Sequence, residues 1–505
     1  MRRYAPLFYC LVLGTVMITI SSTCSFLFAT NSWSDVNCIF TASRCMVHGR
    51  VLYRDVMDHK GFYLYIINIL GYLISRRSFL GLYVMECLFF SAFLYASYCS
   101  FRLYLSRFTS ACLLSLLGAA VSGCAALEAG GCTEEFALPF AAVSLYFMLR
   151  YVKEDCDASR MNGRVVFLNG VLAGVVFWMK YTMLGLWFGF MAMVFFLMLS
   201  KKEVKRAFLS CLVFLGGMGA ASVPPLFYFG VNGALKDCFQ VYFYNNLFLY
   251  PAINSDPYRH FHSMCSFWLR HGRENPVIAL FAVGGLMWVL FCLPVGQEPT
   301  GRKQRRDAGL AIRRCVFPFM YLCLVTGIYW GTKDFRYYYL ITAPFMVFGL
   351  LAFGGGWEHA SARLVSTGVK KGRIVLGVVT LSVVWGWFAG SNADVRLQKW
   401  EDTEQYHFAS IMSQSENPTL QVYGFMDRGF YNALDIIPAA KYFTFINFTE
   451  EQMPEMYAQQ REIVRNQEVE YVICREEIPS FILERYHPVS DQGDSELTLL
   501  KRNEY

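Results

Sequence analysis

A short polar segment near the N-terminus carries the residue types best suited to chemistry. Asp35 follows the first apolar run, and Arg54, Asp58, His59 and Lys60 form a charged cluster further along the same loop. Cations of this kind can hold an anionic group such as a lipid phosphate, and a carboxylate can accept a proton from an incoming hydroxyl. Residue types alone slightly favour a simpler interpretation, in which the charges are solvated and Asp35 caps the helix that follows it.

A single lysine interrupts a long apolar stretch in the middle of the chain. Residues 165–199 contain no other charge than Lys180. At about 1.5 Å per helical residue the stretch is too long for one crossing of a bilayer core roughly 30 Å thick, so we divide it at Lys180. An isolated ammonium at the membrane surface would attract a lipid phosphate. The position equally suits a lysine that only extends to the membrane boundary, and both interpretations stay open.

The elements that must position these residues are membrane-spanning helices. Hydrophobic residues make up 55% of the 505 residues and charged residues only 16%, whereas about 25% is usual in soluble proteins. Long apolar runs predict eleven spans, because a helix satisfies its own backbone hydrogen bonds in lipid. The composition excludes a soluble globular protein and a disordered chain. The predicted spans are 7–28, 78–101, 108–127, 133–149, 165–179, 181–199, 207–229, 276–295, 315–330, 337–357 and 374–390.

Hydropathy alone does not assign the apolar segment 62–74, which has only 13 residues. If this segment lies along the membrane surface, the loops on the N-terminal side carry 22 Lys and Arg and the opposite loops carry 13. If it crosses the membrane, the bias inverts. Because Lys and Arg accumulate in cytoplasmic loops, we expect 62–74 to lie at the interface and the N-terminus to be cytoplasmic.

The charge distribution divides the chain at Gly390. Residues 1–390 have a net charge of +17 and residues 391–505 a net charge of −10. We predict an all-α polytopic membrane domain followed by a small acidic α/β domain. Strand-like patterns at 419–425, 468–475 and 496–502, with a helical pattern at 450–467, support the second assignment. Eleven spans of a cell (plasma) membrane would place this C-terminal domain on the extracytoplasmic side.

Polar groups are scarce inside the predicted spans. Glu86 is the only charge deep within one of them, and we find no repeat that relates the two halves of the chain. A transporter is expected to show midplane polar groups and often a repeat. We therefore expect Glu86 to pair with a neighbouring helix, and we look for function in the outer loops.

The first loop resembles a known signature. The segment SDVNCIFTASRCMVHGRVLYRDVMDHKGFYLYIINILG is similar to the first loop of polyprenyl-phosphate-sugar-dependent glycosyltransferases of the GT-C fold. This group includes the protein mannosyltransferases and the lipid A aminoarabinose transferases. Two positions differ, since Gly61 replaces the usual proline and Val36 follows Asp35 where the mannosyltransferases have an acidic pair. The matching residues are Asp35, Gly49, Tyr53, Arg54, Asp55, Asp58, His59 and Lys60.

The resemblance implies roles for several residues. It makes Asp35 the catalytic base or an acceptor-binding carboxylate. His59 and Lys60 occupy positions that contact metal or donor phosphate in some members, so a divalent metal ion is a candidate cofactor with His59 as its candidate ligand. Glu134 and Glu135 resemble a second acidic position that orients the acceptor or helps to bind a metal, although they equally suit a membrane boundary.

The turn before the tenth span also resembles these enzymes. A cation near this turn faces the donor phosphate in the superfamily, and this chain has Lys333 and Arg336 there. The complete set of predicted substrate-binding residues is Arg54, Asp58, His59, Lys60, Glu134, Glu135, Lys180, Lys333 and Arg336.

The resemblance implies inverting transfer of a sugar from a polyprenyl-phosphate carrier to a hydroxyl of a glycan, lipid or protein at the outer membrane face. Asp35 would act on the acceptor, while Arg54, Lys60 and Arg336 would stabilise the departing phosphate. One alternative is a transporter or flippase of a lipid-linked sugar, and another is a non-catalytic scaffold that presents the acidic tail. Nucleic acid is not an expected partner, because the basic excess lies mainly in loops assigned to the cytoplasm.

Overall fold

The computed structural model describes residues 4–250, 256–292, 306–331, 333–475, 477–489 and 496–503. Arg2 and Arg3, the end of the predicted span 276–295 and the start of the basic loop 301–314 lie outside the described residues. The chain divides into two compact units.

The first unit is helical and comprises the described residues of Met1–Ser22, Glu86–Pro224 and Asn254–Ala393. Its α-helices, two of which extend past these limits, are Ala5–Ser21, Leu80–Phe101, Arg107–Ser122, Thr133–Lys153, Gly163–Phe177, Gly185–Ser200, Val204–Val231, Pro257–Glu274, Pro276–Cys292, Arg306–Tyr329, Met346–Ser366 and Lys371–Ala389. Its 3-10 helices are Ala125–Leu127, Ala158–Met161, Tyr181–Leu184 and Arg336–Phe345.

Each of the eleven predicted spans coincides with a helix. Among the described residues, seven helices are long and apolar enough to cross a membrane, and Pro257–Glu274 with Pro276–Cys292 forms an eighth candidate as a pair bent by 116°. The remaining three predicted spans are the shorter apolar helices Ala5–Ser21, Arg107–Ser122 and Gly163–Phe177. The chain is a multi-pass membrane protein, as the composition predicts.

The first predicted span, 7–28, is wrong at its C-terminal end. The helix stops at Ser21 and the chain continues without regular structure to Trp33. The hydroxyl of Ser22 donates to both carboxylate oxygens of Glu86 at 2.9 Å. Ser22, the residue that follows the helix Ala5–Ser21, is therefore hydrogen-bonded to a buried acid. This contact confirms that Glu86 pairs with a neighbouring helix, at its C-terminal cap.

Glycines allow close helix packing in this unit. A Cβ atom added to Gly285 would lie 2.1 Å from the backbone nitrogen of Gly349 on the helix Met346–Ser366. Backbones approach this closely only where neither residue has a side chain, which is a common device in membrane helices. The contact joins Pro276–Cys292 firmly to its neighbour.

The second unit comprises the described residues of Thr23–Met85, Pro225–Ile253 and Asp394–Tyr505. The predicted interfacial segment is the helix Phe62–Ile74; its 13 residues extend about 20 Å, too short to cross a bilayer core. The other helices of this unit are Ser34–Val47, Leu235–Cys238, the π-helix Phe239–Leu249, Trp400–Asp402, Glu404–Met412, Phe430–Ala433, Pro454–Arg465 and Ser480–Leu483.

The tail forms a small mixed sheet. The strands are β1 (Leu420–Val422), β2 (Tyr471–Arg475), β3 (Tyr486–Pro488) and β4 (Leu497–Arg502), in the order β1-β2-β4-β3. β1 pairs with β2 in parallel, and the other two pairings are antiparallel. The predicted strands correspond to β1, β2 and β4, and the predicted helix to Pro454–Arg465. The strand β3 was not predicted, because three residues ending in proline carry no alternating pattern.

Candidate functional site

The helix Ser34–Val47 places Asp35 in its first turn. The entry to this helix is fixed by amide side chains: Asn31 Oδ1 accepts from the backbone of Trp33 at 2.9 Å. Asn37 Nδ2 then donates to the carbonyls of Asn31 and Trp33 at 2.8 and 3.0 Å. A carboxylate in the first turn is also stabilised by the helix dipole. The position of Asp35 is therefore set by local sequence.

Asp35 and Lys60, predicted separately as base and phosphate ligand, form an ion pair. Lys60 Nζ lies 3.2 Å from Asp35 Oδ2, and the two side chains are 11% and 15% exposed respectively. The backbone at Lys60 is held by the hydroxyl of Tyr53, which donates to the Lys60 carbonyl. The result is a charged pair that is mostly shielded from solvent. Part of each side chain remains accessible.

Asp58 and His59 lie beside this pair in more buried positions. The backbone N–H of His59 donates to Asp58 Oδ1 at 2.7 Å, and Asn246 Nδ2 donates to the His59 carbonyl at 2.8 Å. Burial raises the pKa of Asp58, and the nearby charge of Lys60 opposes this shift. The His59 ring packs against Tyr250, with ring centroids 4.9 Å apart.

His59 has one acidic side chain beside it, that of Asp58. His59 Nδ1 lies 3.6 Å from Asp58 Oδ1. In the part of the chain that the structure describes, no three His, Cys, Asp or Glu side chains are grouped closely enough to hold an ion. Zinc sites usually take three or four such protein ligands, whereas Mg²⁺ can be held by one or two carboxylates together with substrate phosphate. The metal role of His59 stays a prediction.

Arg54 occupies a more exposed position in the same unit. Its guanidinium binds both carboxylate oxygens of Asp55 at 2.8 and 2.9 Å and donates to the Asn232 carbonyl at 2.7 Å. The side chain of Arg54 is 43% exposed. This cation stabilises the loop through its acidic neighbour.

Two of the predicted residues pair with each other in the helical unit. The ammonium of Lys180 binds the buried carboxylate of Glu134. It also lies 3.5 Å from the ring centroid of Tyr338, a cation–π distance. Glu135 is fully buried, and its Oε2 accepts from the backbone of Gly131 at 2.9 Å. A lysine and two acids therefore lie at the N-terminal end of the helix Thr133–Lys153.

The turn that carries the remaining predicted cations belongs to the same helical unit. Arg336 forms two hydrogen bonds to the carboxylate of Glu128, at 3.0 and 2.7 Å. Glu128 was not among the predicted site residues. Lys333 is partly buried, and burial lowers the pKa of its ammonium. Arg336 is therefore held in place by an acid on a neighbouring segment.

Two residues near Asp35 were missed by the sequence analysis. Asp427, from the tail, is fully buried, and its charge acts on the Cys38 thiol together with those of Asp58 and Asp35. Tyr250 follows the π-helix Phe239–Leu249, and its hydroxyl is subject to the charges of Lys60 and Asp35. The aromatic character of the second long loop was a signal for Tyr250. The sequence around Asp427 contains no comparable motif.

Comparison with known proteins identifies the fold. No protein-family model and no curated protein matches the chain. Among solved structures, ArnT from Cupriavidus metallidurans bound to undecaprenyl phosphate superposes with a TM-score of 0.64 at 12% identity, covering 98% of this chain and 97% of that chain. The chain has the ArnT fold. Apo ArnT from the same organism gives a TM-score of 0.61 at 11% identity, covering 97% and 96% of the two chains. The ArnT fold confirms the GT-C-like class predicted from the first loop.

Proposed function

We propose that the protein transfers a sugar, with inversion, from a polyprenyl-phosphate carrier to a hydroxyl acceptor at the outer face of the membrane. The observation that carries this proposal is the pair formed by Asp35 and Lys60, 3.2 Å apart. A general base and a phosphate-binding cation are the two groups such a reaction needs from the protein. The ArnT fold supports the same reaction class, because one ArnT structure is described as bound to undecaprenyl phosphate.

The proposed reaction is a single displacement. The acceptor hydroxyl gives its proton to a carboxylate oxygen of Asp35 while its oxygen bonds to the anomeric carbon of the donor sugar. The bond between that carbon and the phosphate oxygen breaks, and the electron pair leaves with polyprenyl phosphate. Attack from the face opposite the phosphate inverts the anomeric configuration.

The ion pair gives Lys60 a defined part in this step. While Asp35 is ionised, Lys60 neutralises it across 3.2 Å. Once Asp35 has accepted the proton, Lys60 loses its anionic partner and its charge can stabilise the phosphate that departs. Proton transfer and leaving-group stabilisation are thereby linked through one lysine.

Further cations are proposed to bind the donor phosphate. Lys180 and Arg336 each have a carboxylate partner, Glu134 and Glu128 respectively. A phosphate offers the same type of acceptor oxygen as a carboxylate and binds a guanidinium in the same bidentate way. Each partner acid thus keeps its cation in position until the donor binds, and Lys333 is assigned to the same task.

The substitution Asp35→Asn tests the proposal. Asparagine keeps the size of the side chain but cannot accept the proton, so we expect transfer from a radiolabelled polyprenyl-phosphate sugar in membrane vesicles to fall by about 10²-fold or more. The matched control is Asp394→Asn, an exposed aspartate of the same unit, which should retain full transfer. Full transfer by both variants would refute the role of Asp35.

A further inference from the structure

A cavity of about 290 Å³ lies within the second unit. Its wall is built from residues 23–26, 28–30 and 77–80 and from Trp400, Gly429, Asn432 and Ala433. This size is near the lower limit of small-molecule pockets, which span about 300–1,000 Å³. The cavity is distinct from the pair formed by Asp35 and Lys60, since neither residue lines it.

The lining combines four aromatic residues, several hydroxyl groups and one cation. Trp400 supplies an indole, three phenylalanines supply further rings, and Arg77 supplies a guanidinium. The hydroxyls come from Thr23, Ser25, Thr30 and Ser78. Sugars bind to such surfaces through stacking of their C–H faces on aromatic rings and through hydrogen bonds to their hydroxyls. Together the rings, the hydroxyls and the cation can accommodate a saccharide.

The charge of the lining points to an anionic ligand. No acidic side chain is present among the residues that line the cavity. Arg77 is exposed and has no ion pair within the described ranges of the chain. A guanidinium without an acid partner at a cavity wall can bind a carboxylate or phosphate in a bidentate manner.

The wall of the cavity is bonded to the helix that begins at Asp35. Asn432 Oδ1 accepts from Arg44 of that helix at 2.7 Å. A Cβ atom at Gly429 would lie 3.0 Å from Asn37 Oδ1 on the same helix. Thr30, on another segment of the wall, precedes Asp35 by five residues. The cavity and the proposed base therefore share one structural support.

We propose that this cavity binds an acidic sugar of the acceptor, one that bears a carboxylate or a phosphate. Trp400 stacks on the sugar ring, the hydroxyls bond to its substituents, and Arg77 binds the acid group. The assignment of this ligand to the acceptor rests on the proposed transferase function. The binding of the sugar itself does not.

Binding to the purified full-length protein tests the cavity directly. The probes are methyl glucoside, glucuronate, glucose 6-phosphate and inorganic phosphate, and the measurement is saturation-transfer-difference NMR. We expect at least one acidic sugar to bind about tenfold more tightly than methyl glucoside, the size of effect that one charge-assisted hydrogen bond gives. Arg77→Gln should remove this difference in affinity. Trp400→Ala should weaken the binding of all three sugars, whereas Trp400→Phe should preserve it.

Arg76→Gln is the matched control, because Arg76 is also exposed but does not line the cavity. It should bind as the unmodified protein does. Equal binding of neutral and acidic sugars, or a preference unaffected by Arg77→Gln, would overturn the proposal. Inorganic phosphate that binds as tightly as glucose 6-phosphate, with no effect of Trp400→Ala, would show an anion site and overturn the sugar assignment.

The experiments distinguish failure of the proposed sugar site from failure of the proposed transferase function. In a transfer assay, Arg77→Gln should raise the KM for the acceptor and leave the Kd of the donor unchanged. If Asp35→Asn transfers normally while the cavity still binds acidic sugars through Arg77, the proposed function fails and the binding site stands. If Asp35→Asn is inactive and Arg77→Gln changes neither sugar binding nor KM, only the cavity proposal fails.

Discussion

Arg44 Nε lies 2.9 Å from Asp435 Oδ1, and the Arg44 side chain is completely buried. The same guanidinium donates to the carbonyls of Tyr431 and Ile436 and to the side chain of Asn432. One residue of the helix that carries Asp35 is therefore bonded to four positions of the tail. This arginine joins segments almost 400 residues apart within one unit.

The substitution Arg44→Ala should strongly destabilise the protein. It removes the cation that pairs with Asp435 and leaves two buried carbonyls without the Arg44 donor, and breaking a buried pair costs about 3 kcal/mol or more. Thermal unfolding of the purified protein is the measurement. Arg50→Ala removes a single exposed bond to the Ala439 carbonyl and should change the Tm far less. Equal Tm values for the two variants would contradict this role of Arg44.

Gly429→Ala should disturb the same contact between the tail and the helix. Gly429 has φ +109°, and an added Cβ would press against Asn37 Oδ1 at 3.0 Å. A non-glycine residue in such a conformation costs about 1–3 kcal/mol. The Tm should fall, whereas Gly230→Ala, at a helical glycine with open space around it, should leave it unchanged or raise it. A Tm unaffected by Gly429→Ala would show that the turn adapts.

Asp427 should make stability depend on pH. Burial raises its pKa from 3.8 to about 6, so between these values the folded state holds a proton that the unfolded state has lost. Stability therefore falls as pH rises through this range, by up to about 1.4 kcal/mol per pH unit. In Asp427→Asn this contribution is absent. Between pH 4 and pH 6, the Tm of the variant should therefore rise relative to the Tm of the unmodified protein. Parallel Tm curves would contradict the shifted pKa.

Lys60→Gln should impair transfer more than binding of the donor. The variant lacks the ammonium charge that becomes available to the departing phosphate once Asp35 is protonated. The kcat should therefore fall by about 10²-fold. Lys60→Arg should restore part of the rate, because a guanidinium can also bind phosphate. Lys236→Gln, at an exposed lysine of the same unit, is the control. A change confined to KM would assign Lys60 to ground-state binding and contradict its role in leaving-group stabilisation.

Much of the fold depends on local sequence patterns and was therefore predictable. Apolar runs located a helix at every predicted span, and the Lys and Arg bias kept the 13-residue helix Phe62–Ile74 out of the spans. The error at 22–28 arose because those residues are apolar enough for lipid, while Ser22 is drawn to Glu86 by a contact that hydropathy does not encode.

The candidate site was predictable only in part. The first loop identified Asp35 and Lys60, because their spacing belongs to one continuous motif. The acids that hold the other cations, Glu128 for Arg336 and Glu134 for Lys180, are 208 and 46 residues away from their partners. Asp427 is more distant still from Asp35 and has no neighbouring motif. Pairings of this kind depend on tertiary packing, which a single sequence does not reveal.

The most direct test of the proposed function is the fate of the carrier lipid. Purified protein in vesicles would receive a polyprenyl-phosphate sugar and acceptor membranes, and mass spectrometry would follow both lipid forms. The proposal predicts that polyprenyl phosphate appears in step with sugar transfer and that both are lost in Asp35→Asn. Sugar-bearing lipid that changes leaflet with no release of polyprenyl phosphate would contradict the proposal and identify a flippase.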